Sequence, residues 1–145
     1  SLLCSISKSA ADSCFGKKNS LQLADELETD AKSALSLISK MKTDKDSEEE
    51  AAINNIKAMA YMTVYYAWKI RGATYLKANE KANAKNAMGN AWCWWMNYAT
   101  LMDEMYTGMG MQRVQDLPDW HALDHFVLKE YTDLGGAGTP ACTTK

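Results

Sequence analysis

The sequence feature that most constrains the fold is a spacing of apolar residues by three and four positions, repeated along three long segments. In the clearest of these, 84–107, the spacing continues unbroken through Ala84, Met88, Ala91, Trp95, Tyr98, Met102 and Met105. Such spacing places side chains in one stripe along an α-helix and is typical of helices packed in a bundle. Gly108 follows as a stop signal. We therefore predict a helix over 84–107.

Two upstream segments carry the same spacing. The segment 21–41 has Ala24, Leu27, Ala31, Ala34, Ile38 and Met41. The segment 47–78 opens with Ser47 and has Glu50 three residues on, which is the pattern of a capping box. Its predicted core-facing residues are Ile53, Ile56, Ala60, Thr63, Ala67, Ile70 and Thr74. The asparagine-rich stretch 79–83 favours a short turn before the next helix, and one long bent helix is the alternative.

A fourth helix is predicted over 118–133, because Pro118 suits a first turn and Trp120, Leu123, Val127 and Tyr131 share one face. The fold class that follows is all-α, a disulfide-braced helical bundle of about four helices with irregular N- and C-terminal segments. At 145 residues the chain suits a single domain over 1–145. We divide it into an N-terminal segment 1–19, a bundle 20–133 and a glycine-containing tail 134–145.

The cysteine pattern predicts the compartment. The cysteines are Cys4, Cys14, Cys93 and Cys142, with no C-x-x-C and no Cys/His spacing of a zinc module. We therefore expect disulfides and a secreted or periplasmic protein. Cys93 projects nearly opposite the Ala91, Trp95 and Tyr98 seam, so we expect a terminal segment to cross there and Cys93 to pair with Cys4, Cys14 or Cys142. The spacing does not choose among the three.

Composition and motifs exclude several classes of function. A net charge of −2 and a pI near 5.7 provide no basic surface for nucleic acid, which is not an expected partner. The sequence contains no run of 18 apolar residues, so we predict no transmembrane segment. Phosphate-binding and nucleophile motifs are absent, and no catalytic residue is assigned. We expect a non-enzymatic protein.

A stripe of aromatic residues on the helix 47–78 is the main candidate binding surface. It lies beside the core face and comprises Tyr61, Tyr65, Trp68, Gly72 and Tyr75. Aromatic side chains give large rigid contact areas, and a glycine among them allows close approach of a ligand. The alternative is that this helix is central in the bundle, with Gly72 admitting a close neighbouring helix.

A second candidate lies in the run Trp92, Cys93, Trp94 and Trp95, which has many methionines around it. Consecutive tryptophans cannot share one helix face, so at least one looks outward or is covered by a terminal segment. With the stripe, Trp92 and Trp94 suggest an aromatic and methionine-rich surface that recognises a partner protein. This is the leading functional hypothesis.

Two alternatives from other classes remain. A pocket between helices, lined by Trp95, Tyr98, Met102 and Trp120, would suit a carrier of a small apolar ligand or haem. The only histidines, His121 and His125, lie four residues apart with Asp124 beside them, a spacing that can bind a metal ion. Met109 and Met111 are the free pair for copper(I). Otherwise no cofactor is expected.

Overall fold

The computed structural model describes residues 3–108 and 119–143, and these residues form an all-α fold. The helices are α1 (Ile6–Ala10), α2 (Ser20–Ser39), α3 (Glu48–Lys77), α4 (Lys81–Gly108) and α5 (Asp124–Asp133). Among the described residues there is no strand beyond a single bridge between Leu3 and Lys18. The predicted disulfide-braced bundle is confirmed. The short helix α1 lies in the segment that the sequence predicts to be irregular.

Capping side chains determine where α2 and α3 begin. Asn19 and Gln22 form a complete capping box at α2, with the two reciprocal bonds at 2.8 and 2.9 Å. At α3 the Ser47 hydroxyl accepts a hydrogen bond from the backbone N–H of Glu50 at 3.1 Å, as predicted. The carboxylate of Glu50 accepts from the backbone N–H of Asp46 at 3.3 Å, so only half of the predicted box is present.

The connection between α3 and α4 is the predicted short turn. α3 ends at Lys77 and α4 begins at Lys81, earlier than the predicted position 84. Asn79 has φ = 61°, a left-handed conformation that asparagine adopts at lower cost than most residues. The backbone N–H of Glu80 donates to the carbonyl of Tyr75 at 2.8 Å and closes the end of α3.

α3 is the central helix of the bundle. It packs against α2 on one side and α4 on the other, α5 packs against α4, and α1 packs against α3. Each long neighbour runs antiparallel to the next, as expected for helices joined by short connections. The backbones of α2 and α4 do not approach each other closely, and Trp94 of α4 reaches Ala31 of α2 through its side chain. None of the described helices combines the length and apolar character needed to cross a membrane.

A buried arginine fastens α2 to the C-terminal half of α3. Arg71 donates to Asp25 Oδ1 and pairs with Glu28 Oε1, both at 2.8 Å. Its guanidinium also lies 4.3 Å from the ring centroid of Trp68. A Ser20 hydroxyl to Thr74 hydroxyl bond of 2.7 Å continues this polar contact toward the end of α3. This half of the α2–α3 interface is therefore closed and charge-compensated.

The cysteines form the disulfides Cys4–Cys14 and Cys93–Cys142. The prediction that Cys93 pairs with a terminal cysteine is confirmed. The C-terminal tail crosses the back of α4, where a Cβ added at Gly89 would lie 3.4 Å from Pro140. Cys93 is buried beneath the tail, which explains why its position faces away from the bundle seam.

The fourth predicted helix is wrong in its first turn. α5 begins at Asp124 and not at 118, and residues 120–123 form a turn. The carboxylate of Asp119 accepts a hydrogen bond from the backbone N–H of His121 at 3.0 Å, which favours a turn over a helix. His121 and His125 consequently do not share one helix. Pro118 lies outside the described residues.

Three of the seven predicted core-facing residues of α3 are buried. Ala60, Ala67 and Thr74 are buried, whereas Ile53, Thr63 and Ile70 are half-buried. Ile56 is 44% exposed, so its assignment to the core is wrong. The exposed position lies toward the N-terminal end of α3, where the flanking helices leave space.

Candidate functional site

The aromatic stripe on α3 lies within helix interfaces. The Tyr61 ring is 5.8 Å from Trp94 and the Tyr65 ring is 5.6 Å from Trp95, measured between centroids. Trp68 stacks with Arg71, and Tyr75 is half-buried near the end of the helix. The stripe is therefore not an open face. Binding of a partner through these residues stays a prediction.

Gly72 has the role that the alternative interpretation assigned to it. A Cβ at this position would lie 2.5 Å from Cε of Met88 on α4. The glycine thus lets α4 approach α3 closely, as expected for a central helix with a neighbour on each side. Burial raises the pKa of the Tyr65 phenol, and the nearby Tyr66 adds to this effect.

The tryptophan run is divided between two apolar clusters. Trp94 is 1% exposed and packs with Ala31, Ala60 and Val64. Trp92 is half-buried beside the cluster of Trp95, Ala99 and Val127. Neither ring forms an open recognition face by itself. Met109 and Met111, the proposed copper pair, lie outside the described residues.

The predicted ligand pocket is occupied by its own side chains. Trp95, Tyr98 and Trp120 contact one another, with centroid distances of 5.7 and 6.3 Å. The half-buried Met102 lies one turn beyond Tyr98 on α4. Burial raises the pKa of Tyr98, and Tyr106 and Tyr66 raise it further. These rings act as core between α4 and α5.

The two histidines have different neighbours. His121 Nδ1 lies 2.7 Å from Asp124 Oδ2, and the indole N–H of Trp95 donates to Asp124 Oδ1 at 2.7 Å. The ring of His125 instead lies 4.0 Å from that of Phe126. Within residues 3–108 and 119–143, no group of three His, Cys, Asp or Glu side chains is arranged to hold a metal ion. Metal binding by the pair His121 and His125 stays a prediction.

A concave surface runs over the N-terminal half of α3, and we call it the α3 groove. It consists of two cavities of about 560 and 790 Å³ that share Asn54 and Lys57. One wall is the C-terminal half of α2, and the other is formed by residues of α4. The apolar side chains that line it are Leu35, Ile38, Ile53, Tyr61, Trp94, Leu101 and Met105.

The groove exists because two helices flank α3 without meeting. α2 and α4 each pack on α3, but their only shared cluster depends on the large side chain of Trp94 reaching toward Ala31. Beyond Trp94, α3 has no fourth helix to cover it in the described part of the chain. Helices of a bundle normally bury such a face against a neighbour. The position of a missing neighbour is thus left open.

The groove is charged differently at its two ends. At the Trp94 end the ammonium of Lys32 lies 5.5 Å from the Trp94 ring, and that of Lys57 lies 5.8 Å from the Tyr61 ring. At the opposite end, beside Leu101 and Met105, the charged lining residues are Lys45, Asp46, Glu50 and Glu104, and Lys57 lines both cavities. One end is therefore cationic and the other predominantly anionic.

Apolar side chains are also exposed away from the groove. Leu37 and Met41 near the end of α2 are 66% and 61% exposed, and Ile56 on α3 is 44% exposed. These three residues do not line the groove.

Sequence reasoning did not single out Lys32, Asn54, Lys57 or Leu101. The available signal was local: Lys57 precedes Tyr61 by four residues, which places the cation and the ring on one side of a helix. The gap between α2 and α4 has no such signal, because it depends on how three helices pack. No protein-family model, curated protein or solved structure matches the chain.

Proposed function

We propose that this chain is a non-enzymatic binding protein, secreted or periplasmic, that takes an amphipathic helix of a partner protein in the α3 groove. The observation that carries the proposal is that the backbones of α2 and α4 pack on α3 and not on each other, so that the side chain of Trp94 bridges the space between them. A partner helix laid there would supply the missing neighbour and bury the apolar walls.

The dimensions of the groove suit a helix. The lining residues of α4, from Trp94 to Met105, span about 16 Å at the 1.5 Å rise of an α-helix, or about three turns. Binding of a helix in a groove relies on apolar anchors spaced by three, four and seven residues. The half-buried side chains of Ile53, Tyr61 and Met105 offer aliphatic and aromatic surface for such anchors.

The extent of the groove favours a protein over a small molecule. Each cavity has a volume within the range of roughly 300–1,000 Å³ that small-molecule sites occupy. A small ligand would nevertheless fill one cavity, whereas a helix of about three turns would contact both cavities from Trp94 to Met105. The two disulfides support an oxidising compartment, in which such a partner would be met.

The proposal can be tested by selecting helical peptides from a displayed library on the oxidised protein. Selected peptides are then measured by fluorescence anisotropy against Asn54→Trp, which fills the middle of the groove. The matched control is Asn55→Trp, the same substitution one residue along on the exposed outer side of α3. We expect Asn54→Trp to weaken binding more than tenfold and Asn55→Trp to leave it unchanged.

Other outcomes would overturn the proposal. If selected peptides bind both variants equally, the groove is not their site. If sodium decanoate saturates the groove and shifts the Trp94 indole resonance while no peptide does so, the protein is a carrier of small amphiphiles. Circular dichroism of both variants establishes that each remains folded.

A further inference from the structure

The two ends of the α3 groove differ in the charge that they leave uncompensated. Lys32 has one carboxylate partner, Glu28 at 2.8 Å, and Glu28 also pairs with Arg71. Lys57 pairs with no carboxylate within residues 3–108 and 119–143. Both ammonium groups lie over aromatic rings of the groove, where an incoming anion could reach them.

The opposite end has the reverse character. Asp46, Glu50 and Glu104 line it together with Lys45, and Lys57 lines both cavities, so three carboxylates lie beside two ammonium groups there. The first turn of α3 begins at this end, and the Glu50 carboxylate accepts from the backbone of Asp46. A basic side chain of a ligand would be attracted to this end and an acidic one repelled.

We infer that the partner helix is charge-segregated, with carboxylates at the end that lies over Trp94 and basic side chains at the end beside Glu104. The inference rests on the proposed function and deepens it, since it states the chemistry of the partner and its orientation. Charge complementarity of this kind sets register and orientation more than total affinity. The apolar face of the same helix would contact Tyr61 and Leu101.

The orientation can be measured with a synthetic helix of about 14 residues, roughly four turns. It carries leucines on one face, glutamates in one half, lysines in the other and blocked termini. A nitroxide amino acid is placed at the glutamate end in one version and at the lysine end in another. The protein is used oxidised, with NMR assignments for Trp94, Leu101 and Met105.

We expect the nitroxide at the glutamate end to broaden the Trp94 indole resonance, and the nitroxide at the lysine end to broaden Leu101 and Met105. The opposite assignment, or equal broadening of both ends by each version, would overturn the inferred polarity. Binding that Asn54→Trp does not weaken, or no binding at all, would instead mean that the proposed function itself has failed.

A pair of double variants tests whether the cationic end of the groove attracts the peptide. Lys32→Gln/Lys57→Gln should weaken peptide binding about threefold to tenfold at low salt, as expected for two exposed ion pairs. The control Lys77→Gln/Lys81→Gln removes the same charge at exposed positions beside the α3–α4 turn and should have no effect. If the two double variants weaken binding equally, net charge and not the groove accounts for the attraction, and the inference is wrong.

Discussion

The two halves of α3 place the same kind of side-chain pair in different surroundings. In the C-terminal half, Arg71 stacks on Trp68 and is compensated by two carboxylates of α2. In the N-terminal half, Lys57 lies over Tyr61 with no carboxylate partner in the described residues. A cation over an aromatic ring is thus structural where neighbouring helices enclose it and available for binding where they do not.

We call the C-terminal half of α3 the closed half and the N-terminal half the open half. Other contacts that hold the helices together also lie at the closed half. The Ser20 to Thr74 bond, the close contact of Gly72 with Met88 and the tail across Gly89 all lie at the level of the C-terminal half. At the open half, the large buried side chain between α2 and α4 is Trp94, which packs with Ala31. Stability and recognition are therefore assigned to opposite ends of one helix.

The largest expected effect on the unfolding free energy follows from removing the disulfide that joins the C-terminal tail to α4. Cys93→Ala/Cys142→Ala opens a loop with a sequence separation of 49. The chain-entropy model gives a loss of about 4 kcal/mol in unfolding free energy, measured by urea denaturation. The loss for Cys4→Ala/Cys14→Ala should be about 2.7 kcal/mol, because its loop is shorter.

If the comparison of the two halves is correct, the tail variant should still bind a groove-selected peptide with unchanged affinity. Loss of peptide binding in a variant that circular dichroism shows to be folded would mean that the closed half also shapes the groove.

The second effect compares the two cations directly. Arg71→Ala should lower the unfolding free energy by about 3 kcal/mol, because it leaves the largely buried Glu28 with Lys32 alone and uncovers Trp68. Lys57→Ala should change it by less than about 0.5 kcal/mol, as expected for a half-buried cation with no carboxylate partner in the described residues. Equal costs in urea denaturation would contradict the division into a closed and an open half.

A smaller effect concerns Tyr65, at the boundary between the halves. Burial raises its pKa above the ordinary value of a tyrosine phenol. A raised pKa in the folded state means that its contribution to stability is complete below that value and is lost as the pH rises through the folded pKa. Tyr65→Phe should therefore lose less stability than the wild type between neutral and strongly alkaline pH, measured by urea denaturation. An identical alkaline loss in both proteins would show that Tyr65 is not desolvated.

Lys69 should change the pH dependence of stability in the direction opposite to that of Tyr65, and the same experiment measures it. Burial lowers the pKa of its ammonium, so the folded state releases this proton more readily than the unfolded state and stability rises as the pH approaches the ordinary lysine range. Measuring Lys69→Met beside Tyr65→Phe separates the two contributions. The lysine variant should lack the rise, and the tyrosine variant should retain it.

Much of the fold could be predicted from the sequence because its signals are local. The spacing of Ala84 to Met105 and the capping role of Ser47 depend only on neighbours within a turn or two, and both predictions are confirmed. The pairing of Cys93 with a terminal cysteine followed from its direction on one helix. The start of α5 failed because the turn at Asp119 competes with the helix through a local side-chain bond.

The candidate site was less predictable, because it depends on an absence of packing. Tyr61 and Tyr65 form a stripe on a helical projection, but that projection does not reveal that α4 covers them. The sequence likewise assigned Ile56 to the core, since its spacing matches that of Ala60 and Ala67. Only the arrangement of three helices reveals that the N-terminal half of α3 lacks a fourth neighbour.

The most direct test of an open groove is methyl relaxation by a small neutral nitroxide added to the solution. Ile53 lines the groove, Val64 is fully buried between α3 and its neighbours, and Met59 is 71% exposed as a reference for full access. The account predicts that the Ile53 methyl groups relax at a rate well above that of Val64 and toward that of Met59. Ile53 methyl groups as protected as those of Val64 would mean that α2 and α4 close over α3 in solution, which would contradict the proposed site.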